Sequence, residues 1–218
     1  MKKKNIQNII LSIILTIISV GYTYVVKNIY VGAIGPNNSE VGLSNLNESF
    51  INIVGSNMTI YKISELMGYL LLLLVGIYGL VGLIQLIKRK SLFKVDREII
   101  CLGVLYVLMI GVYIFFEKYI INYRPILIDD VLEASYPSSH TILSICVGVS
   151  ALMVNKKYLK GKLLTLSNLL ISLLVLGVFV TRLISGVHYL TDIIGGFIIS
   201  LTLLSYFKTI LNFKKRIE

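Results

Sequence analysis

The chain has 218 residues, 56% of them hydrophobic, and a mean hydropathy of +0.84. That excess rules out an ordinary soluble domain and marks an integral membrane protein. It carries 21 Lys and Arg against 11 Asp and Glu, a formal net charge of +10, which reads as a topology signal rather than a nucleic-acid surface.

Six apolar runs are long enough to cross about 30 Å of hydrocarbon at about 1.5 Å per residue. They fall near residues 5–26, 63–87, 99–116, 139–154, 163–180 and 190–211. A spanning backbone must satisfy its own hydrogen bonds, and the runs lack the dyad alternation of a barrel, so all six read as helices. The predicted fold class is all-α: one domain over residues 1–218, built as a bundle of six transmembrane helices.

The first run follows Lys2, Lys3 and Lys4 and has the look of a secretory signal. It is long for a signal core, and no small-residue cleavage site stands near residues 22–27, so it reads as a retained helix. The segment 27–62 that follows is rich in Asn and Gly. Within it Leu43, Leu46, Phe50 and Ile53 recur at helical spacing, with Asn45 and Glu48 placed like a capping pair. This predicts a short amphipathic helix lying on the outer leaflet, or a lid over a headgroup site. Asn37, Asn47 and Asn57 fit the acceptor sequon, which carries little weight in an Asn-rich chain. Cys101 and Cys146 fall inside apolar runs, where a thiol acts as a small hydrophobe.

Of the 21 cations, 16 lie in four segments, 2–4, 88–97, 156–162 and 208–216. With six spans all four fall on one side, so the positive-inside rule makes both termini cytoplasmic in a multi-pass cell-membrane protein. Lys27, Lys62, Lys118, Arg124 and Arg182 remain outside. Three of these lie in or beside polar islands that interrupt the greasy chain: Arg124-Pro125, the run Pro137-Ser138-Ser139-His140, and Arg182 through His188 to Asp192. Pro137 and Ser138 read as a helix start, with Ser138 as N-cap.

His188 and Asp192, four residues apart at a helix start, project from one face. The carboxylate can then fix one imidazole nitrogen and leave the other free to attack. The same spacing also suits a polar helix-end cluster or a metal pair. Across the turn predicted at Ser185-Gly186, Arg182 ends the fifth helix beside the imidazole that opens the sixth. There its planar fork can grip phosphoryl oxygens, or it can snorkel to the interface. His140 sits in the first turn of the fourth helix, where open amides and the dipole attract an anion. A bound phosphate would let it carry a proton and act as a general acid; otherwise it is an interfacial histidine. Two histidines on neighbouring helices could also bracket a haem iron.

Together, Arg124-Pro125, Pro137 to His140, and the pattern RxxxxxHxxxD from Arg182 to Asp192 resemble the three signature motifs of the type 2 phosphatidic acid phosphatase superfamily. That superfamily also holds vanadate-dependent haloperoxidases and bacterial acid phosphatases. The resemblance implies the membrane-embedded lipid phosphatase branch, with His188 as the nucleophile that forms a phosphohistidine, Asp192 as its orienting partner and His140 as the acid. It further implies Arg124, Arg182, Ser138, Ser139 and a motif lysine on the phosphate oxygens, with no metal and no cofactor. The family carries Gly where Ser139 stands and Ser where Thr181 stands. Its motif lysine lies seven residues before the arginine, whereas Lys118 lies six before Arg124 and Glu117 takes the seventh place. A step of six leaves a helical residue about 120° off the face. Lys118 is therefore expected to reach the phosphate only if the helix ends or unwinds near Asn122, and Glu117 is expected to turn away or pair with Lys118.

The implied substrates are lipid phosphates or pyrophosphates: undecaprenyl pyrophosphate, phosphatidic acid or phosphatidylglycerol phosphate. A lipid phosphotransferase and a catalytically weakened lipid-phosphate binder share the same residues. The acidic stretch Asp129, Asp130 and Glu133 reads as a solvated loop, or as one that disfavours highly anionic headgroups or binds a divalent ion. The expected partners are the substrate and membrane lipids, with no nucleic acid.

Overall fold

The structure, a computed structural model, describes residues 3–213; Lys2, Lys214, Lys215 and Arg216 of the basic segments lie outside them. Among the described residues are seven α-helices: α1 (Lys3–Asn28), α2 (Ser44–Val54), α3 (Met58–Arg89), α4 (Arg97–Lys118), α5 (Ser139–Val154), α6 (Gly161–Ile184) and α7 (Leu190–Phe213). β-Structure is limited there to isolated bridges. Five helices, α1, α3, α4, α6 and α7, are long and apolar enough to cross a membrane.

The fourth predicted span behaves differently. With 16 residues, α5 is about 24 Å long at 1.5 Å per residue, short of a full hydrocarbon thickness. It packs on α3, α4, α6 and α7, and ten of its residues are buried, so protein rather than lipid surrounds it. Ser144 and Ser150 donate to carbonyls of their own helix, each at 3.1 Å, which satisfies hydroxyls held in an apolar core. At Gly148 a Cβ would lie 2.1 Å from Val175 Cγ2; the absent side chain lets α6 close against α5.

Along the opposite flank α1 lies on α7 through a ladder of hydroxyls. Ser12 faces Thr209 at 3.4 Å, Thr16 faces Tyr206 at 3.0 Å, and Ser19 faces Thr202 at 2.8 Å. Small polar side chains bring helices together where hydrophobicity gives no drive. Thr23 carries the ladder on to Tyr136 at 2.8 Å, tying it to the loop that precedes α5.

The predicted amphipathic helix forms as α2, but with a different anchor. It starts at Ser44 after Leu43, whose φ of 50° is left-handed, so Asn45 lies inside the helix and the expected capping pair with Glu48 is not made. Ile53 is 85% exposed, while Asn47 is fully buried. The Asn47 amide donates to Gly42 O at 2.8 Å and to Thr191 Oγ1 at 2.9 Å, which docks α2 on the first turn of α7 and removes that sequon from solvent. The α6–α7 turn is fixed from the same side. Gly186, at φ 65°, has no room for a Cβ, which would lie 1.7 Å from Gly55 O, and Asn57 N–H donates to Ser185 O at 2.9 Å.

This arrangement collects the start of α3, the end of α4, the start of α5, the end of α6 and the start of α7 at one end of the bundle. The loops carrying Lys88, Arg89, Lys90, Lys94, Lys156, Lys157 and Lys160 lie at the other.

Candidate active site

His188 lies in the turn between α6 and α7, two residues ahead of the helix, rather than in the helix start that its spacing suggests. Asp192 is the third residue of α7, and its Oδ2 reaches back to accept the Tyr189 N–H at 2.9 Å, satisfying an amide that the helix leaves open. Its Oδ1 accepts Asn122 Nδ2 at 3.1 Å, and Asn122 Oδ1 accepts the Gly42 N–H at 3.2 Å.

Because His188 stands off the helix, the direct imidazole–carboxylate bond predicted from the four-residue spacing is not made. Nδ1 and Asp192 Oδ2 are 3.9 Å apart, beyond hydrogen-bond reach. Ser135 stands between them, its Oγ 2.5 Å from Oδ2 and 3.0 Å from Nδ1. The other ring nitrogen, Nε2, is buried and has no hydrogen-bond partner among the described residues. Burial first, then the positive charges of Arg124 and Arg182, hold the His188 imidazole well below its ordinary proton affinity. At neutral pH it is therefore an uncharged base with a free lone pair.

Both histidines line one cavity of about 780 Å³, together with Arg124, Ser135, Ser139, Tyr61 and Glu65. His140 is the second residue of α5, and its Nε2 lies 3.2 Å from Glu65 Oε1 on α3. Gly68, one turn further along α3, makes this approach possible, since a Cβ there would come within 2.9 Å of the His140 ring. No side chain caps the first turn of α5, so its amides are open to an anion.

Arg182, in the last turn of α6, is fully buried; it does not snorkel to the interface. Its Nη2 donates to Glu65 Oε1, and its guanidinium lies behind the Tyr61–Glu65 wall of the cavity. The Tyr61 ring bridges the two arginines, with Arg182 Cζ 5.0 Å and Arg124 Cζ 5.9 Å from its centroid, close enough for cation–π attraction. Arg124 Nε lies 2.9 Å from Glu133 Oε2, an ion pair without hydrogen-bond alignment. The Nε and Nη1 atoms of both arginines are buried and lack hydrogen-bond partners among the described residues.

The remaining predicted residues divide. Ser139 lines the cavity. Ser138 is the N-cap residue of α5 without a side-chain capping bond; its Oγ accepts from Thr141 at 3.0 Å and its N–H donates to Asp192 O at 3.0 Å. Ser138 thus joins α5 to α7 behind the cavity. Lys118 is the last residue of α4, exposed and outside the cavity lining. Glu117, although exposed, lines the cavity where it was expected to turn away or pair with Lys118. Sequence reasoning missed Tyr61, Glu65, Asn122 and Ser135.

The model of the PAP2 superfamily matches residues 115–216. In fold the chain is similar to the first transmembrane PAP2 type phosphatidylglycerolphosphate phosphatase from Bacillus subtilis, with a TM-score of 0.64 and 18% identity over 95% of this chain and 98% of that one. No curated protein matches it in sequence. The matched segment, just under half of the chain, holds both histidines, both site arginines and Asp192.

Proposed function

We propose that the protein is a lipid phosphatase that hydrolyses a phosphomonoester or pyrophosphate through a phosphohistidine at His188. The observation that carries this reading is a positive cluster at one cavity: Arg124 and His188 line it, Arg182 is paired to its Glu65 wall, and Nε and Nη1 of both arginines and His188 Nε2 are buried without hydrogen-bond partners among the described residues. Buried guanidinium donors left unpaired cost stability, and an oxyanion in the cavity offers Arg124 charge-assisted bonds beside the free lone pair of His188.

His188 Nε2 attacks phosphorus in line, forming the P–N bond as the bond to the leaving oxygen breaks. His140 delivers a proton to that oxygen. Water then attacks the phosphohistidine, its proton passes to His140, and phosphate leaves. The guanidinium groups and the first amides of α5 stabilise the charge that builds on the equatorial oxygens.

A lipid substrate is favoured because the cavity continues along Leu72, Met109, Ile110 and Phe116 of α3 and α4, a surface suited to hydrocarbon and not to a soluble ester. Phosphatidylglycerol phosphate, phosphatidic acid and undecaprenyl pyrophosphate all meet that description. Counting the short, protein-enclosed α5 as a sixth crossing, the basic loops opposite the site support cytoplasmic termini and a cavity on the extracytoplasmic face.

The test is phosphate release by detergent-purified protein over a panel of these lipids, with and without chelator. Release that persists with chelator and falls by about 10³-fold or more in His188→Ala, with lipid binding retained, is expected. Normal turnover by His188→Ala, or strict dependence on added Mg²⁺, overturns the reading.

A further inference from the structure

We infer that Ser135 is the positioning residue that couples Asp192 to His188, so that the orienting device is a carboxylate–hydroxyl–imidazole relay in place of a direct pair. The inference rests on the phosphohistidine reading and adds to it a residue outside the three motifs.

Ser135 is 2% exposed, and its backbone is held on both sides. Its N–H donates to Asn122 O at 2.9 Å, next to the antiparallel bridge of Tyr123 with Ala134. The hydroxyl therefore has a fixed origin. An ionised carboxylate only accepts, so the single hydroxyl hydrogen goes to Asp192 Oδ2, at 2.5 Å. The Oγ lone pairs then face His188 Nδ1 at 3.0 Å and can only accept, which requires the hydrogen to reside on Nδ1. That tautomer leaves the lone pair on Nε2, the nitrogen without a hydrogen-bond partner among the described residues.

Asp192 cannot do this unaided, because 3.9 Å separates it from Nδ1. Its oxygens are already occupied by Asn122, Tyr189 and Ser135. As Nε2 forms its bond to phosphorus, positive charge develops on the ring, and the chain Nδ1–H to Oγ–H to Oδ2 polarises to stabilise it without a proton changing owner.

Ser135→Ala is expected to lower kcat by about tenfold to hundredfold, the range typical of groups that orient a functional imidazole from behind. KM should stay within about twofold, because no substrate contact is lost, and Ser135→Thr should restore most of the rate. On top of Asp192→Ala, Ser135→Ala should cost little more, since one break already opens the relay. A kcat for Ser135→Ala within about twofold of the parent, or fully additive losses, overturns the proposal.

A second measurement needs no variant of Ser135. The chain has two histidines, so nitrogen-15 spectra of the labelled protein, with His140→Gln assigning the signals, report the His188 tautomer. Hydrogen on Nδ1 at neutral pH is expected, and hydrogen on Nε2 sinks the relay even if Ser135→Ala fails to fold. Should the unaltered protein release phosphate from none of the lipids, the phosphatase reading falls, while the tautomer still decides the relay.

Discussion

The two ends of the bundle both gather charged side chains into ion pairs, but only one end leaves buried nitrogens of those side chains without hydrogen bonds. At the basic end, Asp96 precedes α4 and accepts from Arg89 at 2.8 Å, from Gln85 at 3.0 Å and from Tyr158 at 3.0 Å. Lys157 stands 3.5 Å away and pairs with Glu98 as well. Donors and acceptors are matched, so this cluster closes on itself and clasps the α3–α4 connection to the one after α5. At the site end, Arg124, Arg182 and His188 keep five buried nitrogens without hydrogen-bond partners among the described residues. A closed network holds a fold together; an open one holds a place for something else.

The sharpest way to break that contrast is to change an arginine at each end to lysine. A lysine in place of Arg182 keeps one positive charge but presents a single ammonium where a fork stood. Losing an oriented donor to a developing oxyanion should lower kcat/KM for phosphate release by about 10²- to 10³-fold. Arg89→Lys, at an arginine with a 43% exposed side chain, should leave turnover within about twofold, since exposed pairs contribute little. Equal losses from both changes would mean that the two clusters are not different in kind.

A smaller effect is expected from Glu65. Its carboxylate touches both Arg182 and His140, so a phosphate must bind beside a like charge or displace it. Glu65→Gln keeps an acceptor for the guanidinium and removes the charge. Inorganic phosphate, the product, should then inhibit about fivefold more tightly, about 1 kcal/mol. Weaker inhibition would show that Glu65 serves mainly to hold Arg182 in place.

These comparisons also mark what the sequence disclosed. The motif residues were legible because phosphoryl chemistry asks for a few side-chain types at helix ends, and helix ends are where polar islands interrupt apolar runs. The shifted spacing of Lys118 was legible for the same geometric reason, and Glu117 lines the cavity. Ser135 was not legible: it is an ordinary loop serine whose partner Asp192 lies 57 residues away. Its role appears only because His188 stands off the helix and leaves a gap one hydroxyl wide. Asn47 was hidden too, since the pattern marked α2 by its apolar stripe and the anchor is the amide. Glu65 left a signal that went unused: it is the sole charged residue in the apolar run 63–87, and a lone charge in a span calls for a partner.

The smallest expected effect tests the closed end directly. Burial alone would raise the Asp96 carboxyl, but hydrogen bonds from Arg89, Tyr158 and Gln85 and the charge of Lys157 outweigh it and hold the group at about 2. A carboxyl whose folded value lies below its unfolded one contributes stability above the unfolded value, near 4, and loses that contribution as pH falls toward 2. Asp96→Asn should therefore melt lower than the parent at pH 7, by about 1 to 2 kcal/mol of charge-assisted hydrogen bonding discounted for the exposed Arg89 partner. The two melting curves should converge between about pH 4 and pH 2. Phosphate release per folded molecule should stay unchanged, because the cluster lies at the far end of α3 and α4 from the cavity. If the variant melts like the parent yet loses turnover, the basic end is coupled to the site through those two helices rather than serving as a clasp.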